Sequence, residues 1–184
     1  MGYYNAGDWA KAAGAFETLQ EQGVAEGETE IKSKLFDCYL NEGRQQIAAA
    51  NSGSAIIRAS QSFNSALALS PDDATAQEER QQASLYLDGY TAYQRADWRQ
   101  AVANLSRICA ARADYAQGRA ARLLCESYTK LGDAYQANGQ LQLALDQYRL
   151  VLTLAQCDQT EAQGKVQQVL ALLGPVTPSP TAMP

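Results

Sequence analysis

One spacing constrains this chain more than any other: a small residue followed four positions later by a bulky one, repeating about every 43 residues. The pairs are Ala12 and Phe16, Ala59 and Phe63, Ala101 and Leu105, and Ala144 and Tyr148. Three of them are preceded by a turn: Gly7-Asp8-Trp9, Ala96-Asp97-Trp98 and Gly139-Gln140-Leu141. From Ala101 to Ala144 is 43 residues and from Phe63 to Leu105 is 42. From Phe16 to Phe63 is 47, and the four extra positions are legible as the polar loop Asn51-Ser52-Gly53-Ser54. A fixed period of this length is the mark of a repeat architecture, in which no unit buries its apolar face alone.

Each unit divides into two helical patterns. In the third, a first helix is predicted from Ala74 to Gln94, with Asp72 or Asp73 as its N-cap. Tyr86, Tyr90 and Tyr93 share one face of it at spacings of four and three. Asp97 caps a second helix from Trp98 to about Ala111. The fourth unit is predicted to comprise Ala116–Ala137 and Gln140–Gln156, and the first unit's second helix runs from Asp8 to about Gln20. Pro71 closes the second unit, because proline cannot continue a helix interior. The predicted helix Gln159–Leu173 starts at Asp158 with Glu161 three residues on, a capping signal. Its start, Ala162-Gln163 and Gln167-Gln168, echoes Ala76-Gln77 and Gln81-Gln82 at an offset of 86. It therefore reads as the first helix of a fifth unit, with Val166, Val169, Leu170 and Leu173 covering the apolar end of the stack.

The expected fold is all-α: a right-handed superhelical α-solenoid of stacked helix-turn-helix units at about 1–27, 28–73, 74–115 and 116–157, with a capping helix at 159–173. Residues 174–184 are Pro-, Ser- and Thr-rich and are expected to be a disordered or extended tail. Only Gly2 to Ala6 remain of the first unit's first helix. The chain is thus expected to be a piece of a longer protein.

The units resemble tetratricopeptide repeats. Unit four carries the pattern in Tyr128, Leu131, Gly132, Tyr135, Gly139, Ala144 and Tyr148, departing from it at Val151 and Gln156. Unit three supplies Gly89, Ala96, Trp98, Ala101 and Leu105, but has Asp88 and Ala92 where the pattern has Leu and Tyr. Unit two supplies Tyr39, Gly43, Ala59, Phe63, Ala66 and Pro71. The period departs from the usual 34, the surplus lengthening each first helix by over two turns. At 1.5 Å per residue a helix of about 21 residues is roughly 30 Å long.

The resemblance implies a concave groove lined by the first helices, where partner peptides bind. Transferred by position, that surface comprises Tyr4 and Asn5 at the truncated end, and Asn41, Arg44 and Ile47 from unit two. Unit three contributes Tyr86, Tyr90, Tyr93 and Gln94, and unit four Lys130, Asp133 and Gln136. Tyrosine offers a large rigid area with a polar handle, which suits a binding surface. A second reading stays open for Tyr86 and Tyr90, since long helices can bury them against neighbouring units. The chaperone-clamp subclass of the family grips a carboxylate with groove cations. Unit three has tyrosines in their place, so that partner is not expected.

Charge narrows the rest. The net charge of −5 disfavours nucleic acid as a partner. Six arginines (Arg95, Arg99, Arg107, Arg112, Arg119, Arg122) follow an early acidic stretch of Glu17, Glu21, Glu26, Glu28, Glu30 and Asp37. That asymmetry reads either as a solvated surface or as steering for an acidic partner. With no histidine and no Cys-x-x-Cys pair, a zinc site is not expected, nor any cofactor. Cys38, Cys109, Cys125 and Cys157 read as four small buried or half-buried thiols; a helical array of this size needs no disulfide for stability, but a disulfide stays open as the second reading. Ser127-Tyr128-Thr129-Lys130 matches a serine-nucleophile tetrapeptide, but lacks the supporting elements of that enzyme class. Asn104-Leu105-Ser106 fits a glycosylation sequon with its central residue facing the core.

The function expected is a non-enzymatic interaction scaffold that binds a peptide or partner surface in the groove. Two further readings are a regulatory or sensor region of a larger signalling enzyme, such as a membrane-anchored kinase, and a self-assembly element. No membrane insertion is expected in this segment, which has no apolar run of spanning length. The opening MGYYNAGDW is not a signal peptide. The sequence does not fix the compartment: the cytoplasm is favoured over a bacterial cell envelope, which would need a preceding segment with a signal or anchor.

Overall fold

The computed structural model describes residues 2–23, 27–50 and 52–174, and among these the chain is all-α. The helices are α1 (Gly2–Asn5), α2 (Trp9–Glu21), α3 (Glu28–Ala48), α4 (Gly53–Leu69) and α5 (Ala74–Gln94), followed by α6 (Trp98–Ala111), α7 (Arg119–Ala137), α8 (Leu141–Thr153) and α9 (Gln159–Leu173). The expected tail at 175–184 and Glu26 of the acidic stretch lie outside the described residues.

Aspartates start several of these helices. Asp8, Asp73, Asp97 and Asp158 each accept a backbone N–H from the first turn, of Lys11, Ala76, Gln100 and Thr160 respectively. The choice left open between Asp72 and Asp73 thus falls on Asp73. The turns between paired helices use left-handed backbone at the same repeat position, with φ of 71° at Gly7, 58° at Ala96 and 73° at Gly139.

Each helix packs on its neighbours in sequence, and α5 also touches α7. The pairing within a unit turns on one glycine. A Cβ at Gly43 would lie 2.4 Å from the Phe63 ring, one at Gly89 2.8 Å from Leu105, and one at Gly132 2.5 Å from the Tyr148 ring. Three glycines thus admit three bulky side chains, each of which is fully buried. Ala12, Ala59, Ala101 and Ala144 are at most 2% exposed, which places the small member of each recurring pair in the core. The sequence period is therefore a packing period.

Four expectations need correction. The insertion at 51–54 is not wholly a loop: Gly53 and Ser54 belong to α4, whose 17 residues exceed the 13 to 14 of α2, α6 and α8. The additional turn packs Gly53 against the Tyr90 ring, where a Cβ would come within 3.2 Å. The first helix of unit four begins at Arg119 rather than Ala116. Ala116, Gln117 and Gly118 all have left-handed backbone, with φ of 52°, 57° and 72°, which no right-handed helix contains. That bend buries Tyr115 against Tyr86 and lets the Gln117 amide donate to the Ala48 carbonyl at 2.7 Å. Helix α8 ends at Thr153, short of Gln156. Finally, the cysteines are not all thiols: Cys125 and Cys157 form a disulfide, with their Cα atoms 5.5 Å apart, while Cys38 and Cys109 are free.

Candidate functional site

The first helices of successive units meet through polar contacts between residues 32 to 35 apart in sequence. Tyr4 on α1 donates its phenol to Asp37 on α3 at 2.8 Å. Tyr93 on α5 donates to Glu126 on α7, each lying 89 residues beyond its counterpart. Arg44 on α3 pairs with Glu79 on α5 at 2.8 Å, and Lys165 on α9 pairs with Asp133 on α7 at 2.7 Å. The Cys125–Cys157 bond ties α7 to the segment that leads into α9, across a separation of 32 residues. These rungs link α1, α3, α5, α7 and α9 in turn.

Two cavities open where α7 meets its neighbours. The first, about 370 Å³, lies between α5 and α7 and is lined by Tyr90, Tyr93, Gln94, Arg119, Arg122, Leu123 and Glu126. The second, about 450 Å³, lies between α7 and the start of α9. Arg122, Glu126, Thr129 and Lys130 form one wall, and Val151, Asp158, Glu161 and the disulfide complete it. Arg122 and Glu126 belong to both, so the cavities adjoin across α7. Their volumes fall in the range of ligand-binding clefts.

The expected groove residues divide into four groups. Tyr90, Tyr93 and Gln94 line the first cavity and Lys130 the second, as surface-facing groups. Tyr4, Asn41, Arg44, Asp133 and Gln136 are spent within the chain. Tyr4 packs edge-on against Trp9 and Phe16 as well as bonding Asp37, and Asn41 donates to the Asp37 carbonyl. Asp133 and Gln136 both accept from the buried Tyr148 hydroxyl, at 2.8 and 3.1 Å. Asn5 is exposed at the far end, remote in sequence from both cavities. Tyr86 and Ile47 are corrections: at 0% and 2% exposure they are core, so burial is the outcome for Tyr86 of the two readings left open. The long α5 carries Tyr86 inward because α4 and the bend at 112–118 close over it, with Tyr115 5.9 Å away. Tyr90 is half-buried and stacks on Tyr86 at 6.2 Å.

Electrostatics follow from these contacts. By accepting the Tyr93 hydroxyl's hydrogen bond, Glu126 pushes that phenol up to about 12, with burial adding to the effect. The hydrogen bond to Asp37 likewise raises Tyr4. Burial raises Tyr86, opposed by the nearby Arg119 charge. The arginine-rich stretch does not form one patch. Arg99 lies over the Tyr135 ring at 5.4 Å, and Arg112 pairs with Glu79 at 2.7 Å and covers Tyr115, whereas Arg119 and Arg122 face the first cavity. In the acidic stretch, Glu28 and Glu30 pair with Lys32 and Lys34, and Glu17 accepts from Tyr39.

Sequence reasoning missed Arg122, Glu126, Asp158 and Glu161 as lining residues. A signal existed: each rung joins residues about 33 apart, so any groove tyrosine names its partner on the next first helix. The serine of the S-x-x-K tetrapeptide is fully buried and donates to the Leu123 carbonyl at 2.6 Å, turned away from Lys130 in the cavity wall. Asn104 and Leu105 of the sequon are both buried. Among the described residues, no helix is long and apolar enough to cross a membrane. Compared with known proteins, the chain matches no family model, no curated sequence and no solved structure.

Proposed function

We propose that this chain is a non-enzymatic interaction scaffold that binds an extended peptide segment of a protein partner across α7. On this reading the helix pairs form a right-handed superhelical solenoid of tetratricopeptide type, whose first helices line the concave side. The observation that carries the proposal is the pair of adjoining cavities on the rung-bearing helices. Their walls combine exposed charge at Arg122 and Lys130 with the half-buried phenols of Tyr90 and Tyr93. Such a surface suits an extended chain, which offers backbone groups along its length and side chains at intervals to separate pockets. The buried, internally bonded Ser127 supports a binding role over acyl-transfer chemistry, because a nucleophile needs an accessible oxygen and an adjacent base.

Photo-cross-linking tests the reading. A benzophenone amino acid at Gln94 or Lys130 is expected to capture a partner, whereas one at Gln142, outside both cavities, is not. Equal capture from all three positions, or capture only from Gln142, would sink the groove as the binding face.

A further inference from the structure

The rungs between first helices follow the repeat closely enough to show which one is incomplete. The residue after each close-approach glycine is Arg44, Tyr90 or Asp133. Opposite these positions, on the next first helix, stand Glu79, Arg122 and Lys165, spaced 43 residues apart. Two of the three rungs are closed ion pairs, Arg44 with Glu79 at 2.8 Å and Lys165 with Asp133 at 2.7 Å. In the middle rung Tyr90 stands where its equivalents carry charge, and its hydroxyl accepts from Gln94 at 2.9 Å. Arg122 makes no ion pair among the described residues; its guanidinium reaches the Gln117 carbonyl at 3.3 Å and is otherwise exposed. Between Tyr90 and Arg122 lies the cavity of about 370 Å³.

Resting on the groove reading above, we infer that this cavity is the subsite for an acidic side chain of the peptide partner. Its carboxylate takes the position at Arg122 that the chain itself fills at the other two rungs. A guanidinium presents a planar fork of donors that matches a carboxylate, and the bond is strengthened where phenol rings exclude water from one side. The surrounding charges fit one acid rather than several. Arg119 lines the same cavity, whereas Glu126 is already engaged as acceptor of the Tyr93 phenol. In the second cavity Asp158 and Glu161 oppose Lys130, so the first cavity is the more favourable place for an acid.

Panning a display library of random twelve-residue peptides on the whole chain tests the subsite. Groove-dependent clones are those lost on the exposed substitution Gln94→Trp, which fills the cavity mouth. They are expected to share an Asp or Glu at one fixed position and to weaken about tenfold or more on Arg122→Gln. Binding should return when Arg122→Glu meets the same peptide with Lys at that position. Groove-dependent clones without a shared acid, or with unchanged affinity for folded Arg122→Gln, overturn the acidic subsite and leave the groove reading standing. Failure to obtain any groove-dependent clone overturns both.

Discussion

At the scale of single residues, the three glycines at the helix crossings decide the packing. Gly132 is the most constrained, because the Tyr148 ring it admits is pinned by hydroxyl bonds to Asp133 and Gln136 and by Lys165, 5.5 Å above the ring. The ring therefore has little room to yield to a Cβ only 2.5 Å away. Gly132→Ala is predicted to cost about 1–3 kcal/mol by overpacking, read as a lower midpoint in urea. An unchanged midpoint would mean that the helices separate more freely than this contact implies. The register of these positions was legible in the sequence, since Gly132, Ala144 and Tyr148 recur with their equivalents. The fate of Tyr86 was not. A tyrosine on a helical stripe reads the same whether the adjoining chain covers it or not, and the cover comes from Tyr115 in a bend that no periodicity announces.

At the scale of elements, the helices whose ends have side-chain caps were read correctly, as α5, α6 and α9 show. The start of α7 was not, because Ala116 and Gln117 are good helix formers that tertiary contacts hold in left-handed backbone. The pairing of Cys125 with Cys157 was not legible for a related reason: cysteine spacing says nothing until the fold brings two positions together. It closes a loop that contains all of α8, so reduction is predicted to destabilise the chain by about 2–4 kcal/mol, with α9 loosening first. Hydrogen exchange with and without dithiothreitol reads this directly, and equal protection of α9 in both states would count against it. The remaining cysteines report on the same elements. Burial pushes the Cys38 and Cys109 thiols up to about 11, so both should resist alkylation at pH 8 until denaturant is added. Denaturation alone should then expose two thiols, and denaturation with reductant four.

At the scale of the whole molecule, tyrosine hydroxyls join one unit to the next, which makes stability sensitive to alkali. Tyr4 and Tyr93, whose hydroxyls bond Asp37 and Glu126 of the next unit, are both raised above the ordinary phenol value near 10. The unfolded chain therefore loses its phenolic protons at lower pH than the folded one. The stabilisation is complete below about pH 10 and is lost as pH rises through about 12, the value for Tyr93. Thermal melts across that range are expected to show a falling midpoint, and a flat profile would indicate that the rungs contribute little. The proposed binding face was legible only in part. Tyr90, Tyr93, Gln94 and Lys130 were found by position, but Arg122 and Glu126 become visible as a site only once neighbouring first helices are placed side by side.

The helix-to-next-helix pattern of contacts also bears on how the chain is made. Each helix after the first packs on the one before it, so every helix emerging from a ribosome finds one packing partner already made, and units can assemble in the order of their synthesis. The contact furthest apart in sequence among these, Gln117 to Ala48, needs no residue made after Cys125. By the time Cys157 appears, Cys38 is already enclosed between α2 and α3 and Cys109 is packed against the core around α5 to α7. Directional assembly is thus expected to remove the two wrong partners before the right one arrives, leaving the disulfide to form last.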